Sequence, residues 1–332
     1  MPDVRRISVS TDSSGSPEGG NSAYLLPERG VLVDPGPPGD ETWDRLRDGI
    51  EDAGLGLTAI EHVLVTHWHA DHTGAAPRLA SEADATLWMH EVDAPLLSDY
   101  REARARRLER DAGTLELWGV PRDRIDPLVE FDSRSPIPDS VPVRELGDGE
   151  SVEGVEVLHT PGHTAGHAAF VLGDEAFVGD AILRTVTPNV GGGDTRQENP
   201  LSRYLETLSR LEERVAVAHP GHGGEFALSD RTAELRSHHF ERAERVFEVL
   251  VSDDTGESVT PWEVATALFG EMAGYHVKFG AGEAFAHLAH LEDLGLAERV
   301  ASDPVRFALS DEAATGTAPV RQAWNGEPKA RD

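Results

Sequence analysis

The chain has 332 residues, which allows about two domains and ample sequence for a buried core. It carries 60 acidic against 30 basic residues, a formal net charge of -30, and no cysteine. A chain this negative repels nucleic-acid phosphates and anionic membranes unless a local basic patch intervenes. The missing cysteines exclude disulfides, thiolate ligands and a thiol nucleophile.

The acidic residues are dispersed along the whole chain, and Lys278 and Lys329 are its only lysines. This composition favours adaptation to a high-salt cytosol, where net charge maintains solubility and salt screens self-repulsion. The alternative is an acidic protein that binds cations or basic partners. No run approaches the ~18 apolar residues of a membrane span, and no apolar leader is present at the N-terminus. We therefore expect a soluble cytoplasmic protein with no membrane partner.

Apolar alternation and turn residues predict strands and helices in a mixed order, as in an α/β protein. Strands are predicted at 4–10, 22–34 with an internal turn, 60–65, 86–90, 155–159, 168–172, 176–178 and 215–218. Helices are predicted at 42–53, 73–81, 92–119, 201–215, 230–251, 260–269 and 283–294, with a proline-rich loop at 121–142.

A cluster of potential metal ligands, His67, His69, Asp71 and His72, follows the strand at 60–65. Neutral imidazoles and a carboxylate suit a borderline divalent cation such as zinc. His67 and His69 lie on one side of the emerging chain, and Asp71 and His72 lie beyond a turn, which indicates two ions. The alternative is a solvated, histidine-rich surface loop.

Three more candidate ligands lie at other strand ends. His163, Asp180 and His222 each come just after a short apolar strand, as the first cluster does. A sheet with those strand ends on one edge brings all of these side chains together, because rigid scaffolds commonly present sites on such loops.

Asp34 and a group of arginines each allow two interpretations. Asp34 follows the strand that ends at Val33, and it is either a turn-former or a carboxylate that orients a ligand histidine. Arg101, Arg104 and Arg107 belong to an arginine-rich helical stretch. This stretch is either a solvated helix with local ion pairs or an anion-binding lid for a substrate carboxylate or phosphate.

The C-terminal residues predict a second, smaller domain. The helices at 260–269 and 283–294 precede a hairpin of 297–300 and 306–309, an arrangement similar to a winged helix. Its second helix carries Glu283, Glu292 and Asp293 and no basic surface, so we do not expect DNA binding. The predicted divisions are a catalytic domain at 1–229, a winged-helix-like α+β domain at 230–310 and a flexible tail at 311–332.

The candidate ligands belong to four motifs: His67-x-His69-x-Asp71-His72, Thr-Pro-Gly-His163-Thr, Gly179-Asp180 and Pro-Gly-His222-Gly. Together and in this order they resemble those of the metallo-β-lactamase superfamily, over about residues 4–226. The resemblance implies an α/β fold, the αβ/βα sandwich of two sheets with outer helices, and a binuclear site at the sheet edge. The C-terminal extension is similar to the winged-helix addition of the β-lactamase-like protein 2 branch.

The resemblance also implies roles for the individual residues. His67, His69 and His163 would bind the first ion, Asp71, His72 and His222 the second, and Asp180 would bridge both. Asp34 would support the site, and His167 lies outside the ligand set as a supporting or simply structural residue. Two divalent ions, zinc in the first place with iron or manganese as alternatives, would hold a bridging hydroxide as nucleophile. Asp71 would steer that nucleophile or shuttle its proton.

The motif form is that of glyoxalase II and related dinuclear hydrolases, which implies hydrolysis of a small acyl-thioester or ester. The acidic residues 230–332 do not match the basic glutathione-binding tail of glyoxalase II, so the thiol carrier stays open. The alternative function is a single-strand endoribonuclease or phosphodiesterase, for which RNA would be the partner. A non-catalytic metal-binding module is a third hypothesis. The oligomeric state is not predicted.

Overall fold

The computed structural model describes residues 3–10, 18–132, 137–252, 257–311, 313 and 319–324. Its contacts divide the chain into two compact units. Unit 1 comprises 1–105, 135–188 and 206–232, and unit 2 comprises 106–134, 189–205 and 233–332. Unit 2 therefore includes two segments, 106–134 and 189–205, that precede residue 229, where the sequence analysis placed the end of the first domain.

The first sheet of unit 1 has six strands in the spatial order β1-β2-β3-β4-β5-β6. They are β1 Arg5–Ser8, β2 Ser22–Leu26, β3 Val31–Val33, β4 His62–Val65, β5 Thr86–His90 and β6 Arg144–Leu146. The pairs from β1 to β3 are antiparallel, and those from β3 to β6 are parallel. The carboxyl ends of β3, β4 and β5 consequently meet at the same edge.

The second sheet has the order β12-β11-β10-β9-β8-β7. Its strands are β7 Ser151–Val152, β8 Val155–His159, β9 Ala168–Leu172, β10 Glu175–Gly179, β11 Val217–Pro220 and β12 Phe226–Ala227. The pair β10–β11 is parallel and the other pairs are antiparallel. The parallel pair brings the loops after β10 and β11 to one edge.

The chain also forms α-helices and, in unit 2, a β-hairpin. They are α1 Asp40–Asp52, α2 Ala70–Thr73, α3 Ala76–Ala83, α4 Pro95–Ser98, α5 Tyr100–Leu117, α6 Arg122–Asp132, α7 Pro200–Glu212, α8 Leu228–Leu250, α9 Pro261–Phe269, α10 Tyr275–Asp293 and α11 Pro319–Trp324, with β13 Ala297–Ser302 and β14 Val305–Leu309. Among the described residues, no helix combines the length and the apolar character that crossing a bilayer requires.

Strand β4 shows why unit 1 has a layered fold. Val63 and Val65 pack in a cluster with Trp43 of α1, on the helix-covered face of the first sheet. Leu64 points the other way and packs in a cluster with Phe170 of the second sheet. Because successive side chains of a strand alternate between its faces, an all-apolar strand must be covered on both sides. The predicted sandwich of two sheets with outer helices is confirmed.

Unit 2 has its own apolar core, and the predicted start of α9 is confirmed. The Thr260 hydroxyl accepts the Glu263 N–H at 3.1 Å, and the Glu263 carboxylate accepts the Thr260 N–H at 2.7 Å. Such a reciprocal cap satisfies two N–H groups that the helix itself leaves without partners. The predicted hairpin is present as β13–β14, and its resemblance to a winged helix stays a prediction.

One loop prediction is wrong: the proline-rich stretch 121–142 contains the helix α6, which has Pro127 inside it. A proline within a helix costs about 3 kcal/mol, and sequence patterns reflect that cost. The packing of Ile125 and Leu128 in the core of unit 2 offsets it.

The helix predicted at 283–294 is longer, since α10 begins at Tyr275. Gly280 and Gly282 lower the helix propensity of its first half, yet Val277 and Ala281 are buried in the core. In the predicted tail 311–332, the described part includes the helix α11, whose Val320 is buried against the same core. The residues of the tail other than 311, 313 and 319–324 lie outside the described part of the chain.

Candidate metal centre

The first candidate ligands lie where β4 leaves the sheet. The strand ends at Val65, a bent segment carries His67 and His69, and the single-turn helix α2 then carries Asp71 and His72. The backbone changes direction between the two pairs, as the sequence analysis expected. One short segment therefore supplies side chains to two neighbouring groups of ligand atoms.

The first group consists of histidines only and is called here the histidine-only half: His67, His69 and His163. His69 Nδ1 lies 3.0 Å from His67 Nε2 and 3.0 Å from His163 Nε2. Three ring nitrogens thus face one another, and hydrogen bonds alone leave lone pairs in close contact. A cation that accepts three lone pairs resolves this arrangement.

A hydrogen-bond chain fixes which nitrogen of His67 carries the lone pair. The Thr66 hydroxyl has one proton, and it donates to Asp34 Oδ2 at 2.7 Å. The hydroxyl oxygen therefore accepts from His67 Nδ1, which lies 3.0 Å away. Neutral His67 then presents its Nε2 lone pair to His69 and His163. Such an outer partner orients a ligand ring and selects its tautomer.

The pKa values of His67 and His69 keep these two rings neutral. Burial, followed by the neighbouring imidazoles, lowers the pKa of His67 well below its ordinary value. Burial, followed by His163, lowers the pKa of His69 to about 3. Both rings are therefore uncharged at neutral pH and available as ligands, because only a neutral imidazole can bind a metal.

The second group carries carboxylates and is called here the carboxylate half: Asp71, His72, Asp180 and His222. His222 Nε2 lies 3.4 Å from Asp71 Oδ2 and 3.5 Å from Asp180 Oδ2. His72 Nε2 lies 3.5 Å from Asp71 Oδ2 and 3.4 Å from Asp180 Oδ1. Two imidazoles and two carboxylates thus converge on one place.

Asp180 connects the two halves. One of its oxygens faces His72, and the other lies 3.5 Å from His222 Nε2 and 3.9 Å from His163 Nε2. A carboxylate in this position can offer one oxygen to each of two cations. The structure thereby brings together all seven side chains that the sequence analysis named as ligands.

The imidazoles of the carboxylate half have the opposite pKa shifts. Burial opposes their charged forms, but the carboxylates outweigh it: Asp71 and Asp180 raise the pKa of His72 well above its ordinary value, and Asp180 and Asp71 raise that of His222 to about 10. Burial likewise raises the pKa of each carboxyl, and His72 in turn lowers the pKa of Asp71 and of Asp180 below the ordinary range. Without metal, His72 and His222 are therefore protonated, and their positive charges offset the negative charges of the two carboxylates.

The donor set fits two divalent cations. Within the described part of the chain, three buried atoms that face the centre or adjoin it have no hydrogen-bond partner: His72 Nε2, Asp180 Oδ1 and His222 Nδ1. Buried polar atoms without partners are costly in a native protein, so they indicate a missing cation or water. Imidazole nitrogen and carboxylate oxygen suit zinc, iron and manganese alike.

Asp34 hydrogen-bonds directly to His72 of the carboxylate half and reaches the histidine-only half through Thr66. Its Oδ2 lies 3.0 Å from His72 Nδ1 and its Oδ1 accepts the Thr66 N–H at 2.8 Å. The His72 Nδ1–H therefore donates to Asp34, which leaves Nε2 for the centre. Asp34 itself has a left-handed backbone with φ 48°, a conformation that costs free energy in a non-glycine residue.

His167 is buried and belongs to no group of candidate metal ligands among the described residues. Its ring stacks on that of His67, with centroids 5.1 Å apart, and its Nδ1 lies 2.8 Å from the Thr160 hydroxyl. His167 therefore packs behind a ligand and does not point its nitrogens at the same place.

The loop that carries His222 requires a glycine beside it. A Cβ on Gly221 would lie 2.4 Å from His72 Cε1 and 2.6 Å from Asp180 Oδ1. Strand β2 holds this loop, because Ser22 N donates to Gly221 O at 2.8 Å and Ser22 Oγ donates to Gly223 O at 2.6 Å. The close approach of the two sheets therefore positions His222.

Asn21 was missed by the sequence analysis. Its side-chain amide donates to the Asp71 carboxylate Oδ2 at 3.2 Å and to the Asp71 carbonyl at 3.1 Å. It orients the carboxylate to which the sequence analysis gave a catalytic role. The available signal was its position directly before β2, a buried strand of the first sheet.

The three arginines have different surroundings. Arg101 is exposed and pairs with Asp139, and the guanidinium of Arg104 lies 5.4 Å from the centre of the Tyr100 ring. Arg107 belongs to unit 2, where it is buried and donates to Asp111 Oδ2 at 3.0 Å. A role in substrate binding stays a prediction for all three.

The layered fold and the histidine and aspartate clusters, which follow strands of both sheets, define the class of the protein: a metal-dependent hydrolase. A family model described as the metallo-beta-lactamase superfamily matches residues 16–222, and the chain belongs to that family. The resemblance inferred from the motifs is thereby confirmed, and so is the prediction that the protein is an enzyme.

The chain is similar to a metallo-beta-lactamase family protein of Thermus thermophilus, with 30% identity and a TM-score of 0.73 over 93% of this chain and 99% of that one. It is 24% identical to the probable metallo-hydrolase YqjP of Bacillus subtilis, over 79% of this chain and 84% of the relative. It is 26% identical to an atrochrysone carboxyl ACP thioesterase of Claviceps purpurea, over 64% of this chain. The chain spans only 55% of that thioesterase.

Proposed function

We propose that the protein is a binuclear hydrolase of small acyl-thioesters or esters. The observation that carries the proposal is the position of Asp180 between two complete groups of ligand atoms, with separate oxygens toward His72 and toward His163 and His222. His67, His69 and His163 would hold one divalent cation, and Asp71, His72 and His222 the other.

The comparisons support the thioester part of the proposal. A relative from Claviceps purpurea and another from Aspergillus chevalieri are named atrochrysone carboxyl ACP thioesterases, and each is 26 to 27% identical to this chain. Both are named for cleaving a thioester on a carrier protein. Together with the glyoxalase II-like motif form, they favour an acyl-thioester over a lactam as the substrate.

The chain's own residues determine how such a site works. Bound divalent cations supply Lewis acidity toward an acyl oxygen and lower the pKa of water from ~16 toward ~7. Asp71 is the carboxylate that would accept and pass on the proton of the attacking water. His72 lowers its pKa against the effect of burial, so it stays ionised at neutral pH, and the Asn21 amide holds its orientation.

Zinc is the metal we propose in the first place, with iron or manganese as the alternatives. The nitrogen-rich histidine-only half suits zinc, whereas the oxygen ligands of the carboxylate half also accept iron and manganese. Elemental analysis of protein purified without added metal would measure the content directly. About two ions per chain, reduced to about one in His69→Ala, is the expected result.

Activity is tested with a panel of acyl-thioesters and esters, including acyl carrier protein, glutathione and coenzyme A as thiol carriers. Hydrolysis should stop on chelation, return on addition of metal, and be lost in His69→Ala. His276→Ala is the matched control, because His276 is an exposed histidine of unit 2. Metal-loaded protein that hydrolyses no member of the panel would contradict the proposal.

The alternative is a single-strand endoribonuclease or phosphodiesterase. It rests on the arginine-rich helix α5 and on the winged-helix-like region of unit 2. The ion pairs of Arg101 with Asp139 and of Arg107 with Asp111 neutralise part of that charge, which is why we place it second. Cleavage of labelled single-stranded RNA by metal-loaded protein would support it.

We also propose that the acidic composition is an adaptation to high salt. Unfolding midpoints measured from 0.1 to 3 M KCl would test this, because screening of a net charge of -30 should raise them.

A further inference from the structure

Asp93 is a buried carboxylate that lies close to the centre without being one of its candidate ligands. It comes three residues after β5, the strand next to β4 in the first sheet. Its side chain is 0% exposed. A buried carboxylate is costly unless several donors satisfy it, so its partners indicate what it is for.

Three hydrogen-bond donors to Asp93 belong to the two loops that carry the histidine-only half. Its Oδ2 accepts the Thr164 hydroxyl at 2.7 Å and the Trp68 N–H at 3.3 Å. Its Oδ1 accepts the Gly166 N–H at 3.0 Å. One carboxylate therefore joins the loop after β4 to the loop after β8.

The positions of these donors along the chain make the connection specific. Trp68 lies between His67 and His69, and Thr164 directly follows His163. Two of the three donors, Trp68 and Thr164, thus adjoin all three ligands of the histidine-only half. No donor among these hydrogen bonds adjoins Asp180 or His222.

We propose that Asp93 is the positioning residue of the histidine-only half, fastening its two loops so that the three imidazole nitrogens converge on one cation. This inference rests on the proposed binuclear function. It assigns to Asp93 a share of the metal affinity of one half, exerted through the backbone and through Thr164 rather than through a ligand ring.

The surroundings of Asp93 are built for this contact. A Cβ on Gly166 would lie 2.5 Å from both Asp93 N and Asp93 Oδ1, so only glycine allows the loop to come this close. Thr164 is also fully buried, and the carboxylate is the acceptor that its hydroxyl uses.

Asp34 provides the comparison for the other half. It contacts a ligand ring directly, through His72 Nδ1 at 3.0 Å. Asp93 contacts the chain on both sides of the ligands instead. The two buried aspartates therefore have matching positions, each just beyond a strand of the first sheet, but Asp34 directly contacts a ligand of the carboxylate half and Asp93 the loops of the histidine-only half.

The test is Asp93→Asn in the full-length protein, titrated with zinc against a chromophoric competing chelator. The amide keeps the shape but replaces one acceptor oxygen by a donor group, which cannot pair with a backbone N–H. We expect the affinity for one of two zinc ions to fall by ~10- to 100-fold, the usual effect of losing an outer partner of a metal ligand. The affinity for the other ion should stay within about threefold of the unchanged protein.

Glu175→Gln is the matched control. Glu175 is also a buried carboxylate of unit 1, and it accepts from His219 rather than from a ligand loop. It should lower the thermal unfolding midpoint without weakening either zinc ion selectively. Should Asp93→Asn fail to fold, Thr164→Val removes one of the three bonds and is expected to weaken the same ion by about tenfold.

Combination with His69→Ala identifies the half affected. Since that variant already lacks a ligand of the histidine-only half, adding Asp93→Asn should change zinc affinity no further, whereas the two effects would add if Asp93 acted on the carboxylate half. Equal loss of both ions, or none, in the folded Asp93 variant would overturn the inference. If the unchanged protein itself bound fewer than two ions, the proposed binuclear function would fail instead.

Discussion

The two halves of the centre use the same side chain under opposite electrostatic conditions. In the histidine-only half, burial, followed by the neighbouring His163, outweighs the effect of the Asp71 and Asp180 carboxylates and lowers the pKa of His69 to about 3. In the carboxylate half, burial is similar, but Asp180 and Asp71 raise the pKa of His222 to about 10. Burial is the largest single influence on these pKa values in both halves, and only the combined effect of two carboxylates and their hydrogen bonds reverses it in the carboxylate half.

This difference means that protons and cations compete in only one half. In the histidine-only half, the lowered pKa values keep His67 and His69 neutral at neutral pH, so they can accept a cation directly. The imidazoles of the carboxylate half are protonated without metal, so a cation must displace protons there. The predictions below test whether the halves are as separate as this comparison implies.

The largest effect is expected for Asp180→Asn, because Asp180 is the residue that both halves share. Its oxygens face His72 on one side and His163 and His222 on the other. Loss of a ligand should exceed the ~10- to 100-fold effect of losing an outer partner, so both zinc ions should be weakened by more than ~100-fold. Zinc titration measures both steps, and selective loss of one ion would show that Asp180 does not bridge.

Asp71→Asn should separate catalysis from metal binding in the histidine-only half. Losing the proposed proton acceptor should lower kcat by ~10²- to 10⁴-fold, while the first zinc ion stays bound because Asp71 is not in the His67, His69 and His163 group. Steady-state kinetics and metal analysis on the same sample provide the check. A normal kcat would remove Asp71 from the mechanism.

Asp34→Asn should give a smaller loss, concentrated in the carboxylate half. Asp34 orients His72 directly and reaches His67 only through the Thr66 hydroxyl. The second zinc ion should be weakened by ~10- to 100-fold and the first by less. Zinc titration beside Asp93→Asn, for which the opposite order is expected, compares the two aspartates. The same order in both variants would break the comparison.

The smallest effect is a difference in proton release. At pH 7.5 zinc should displace about two protons from His72 and His222, beside any proton that the bound water loses, and none from His67 or His69. Calorimetric titrations in buffers with different ionisation enthalpies count these protons. In His222→Ala the count should fall by about one, and an unchanged count would contradict the raised pKa values.

The same pKa shifts predict how the metal-free protein responds to pH. The folded-state pKa values of His72 and His222 are raised, so their contribution to stability is fully present below pH 6.5 and is lost as the pH rises toward 10. The lowered pKa of His69 has the opposite effect on stability. As the pH falls from 6.5 toward 3, the unfolded chain binds a proton at His69 before the folded chain does, so the fold becomes less stable.

Much of the centre could be predicted because its candidate ligands are histidines and aspartates that directly follow predicted strands. The division into two groups, with His163 in one and His222 in the other, followed from the motif resemblance. Asp93 also lies beyond a predicted strand, yet nothing in the sequence separates it from a surface aspartate. Its donors include the backbone N–H groups of Trp68 and Gly166, which carry no residue-specific signal.

Burial was the other property that the sequence concealed. The charge of Arg107 was visible, but its burial against Asp111 was not. Likewise, the proline in α6 and the glycines in α10 argued locally against helices that core packing stabilises. Local propensity predicts elements well where packing agrees with it, and both errors arose where packing overrides it.

The central claim is that two cations lie side by side between these loops. A crystal structure of the zinc-loaded protein, with anomalous scattering recorded on both sides of the zinc edge, tests it most directly. The account predicts two peaks about 3.5 to 4 Å apart, one bound by His67, His69 and His163, the other by Asp71, His72 and His222, with Asp180 contacting both. A single peak, or peaks bound by other residues, would contradict it.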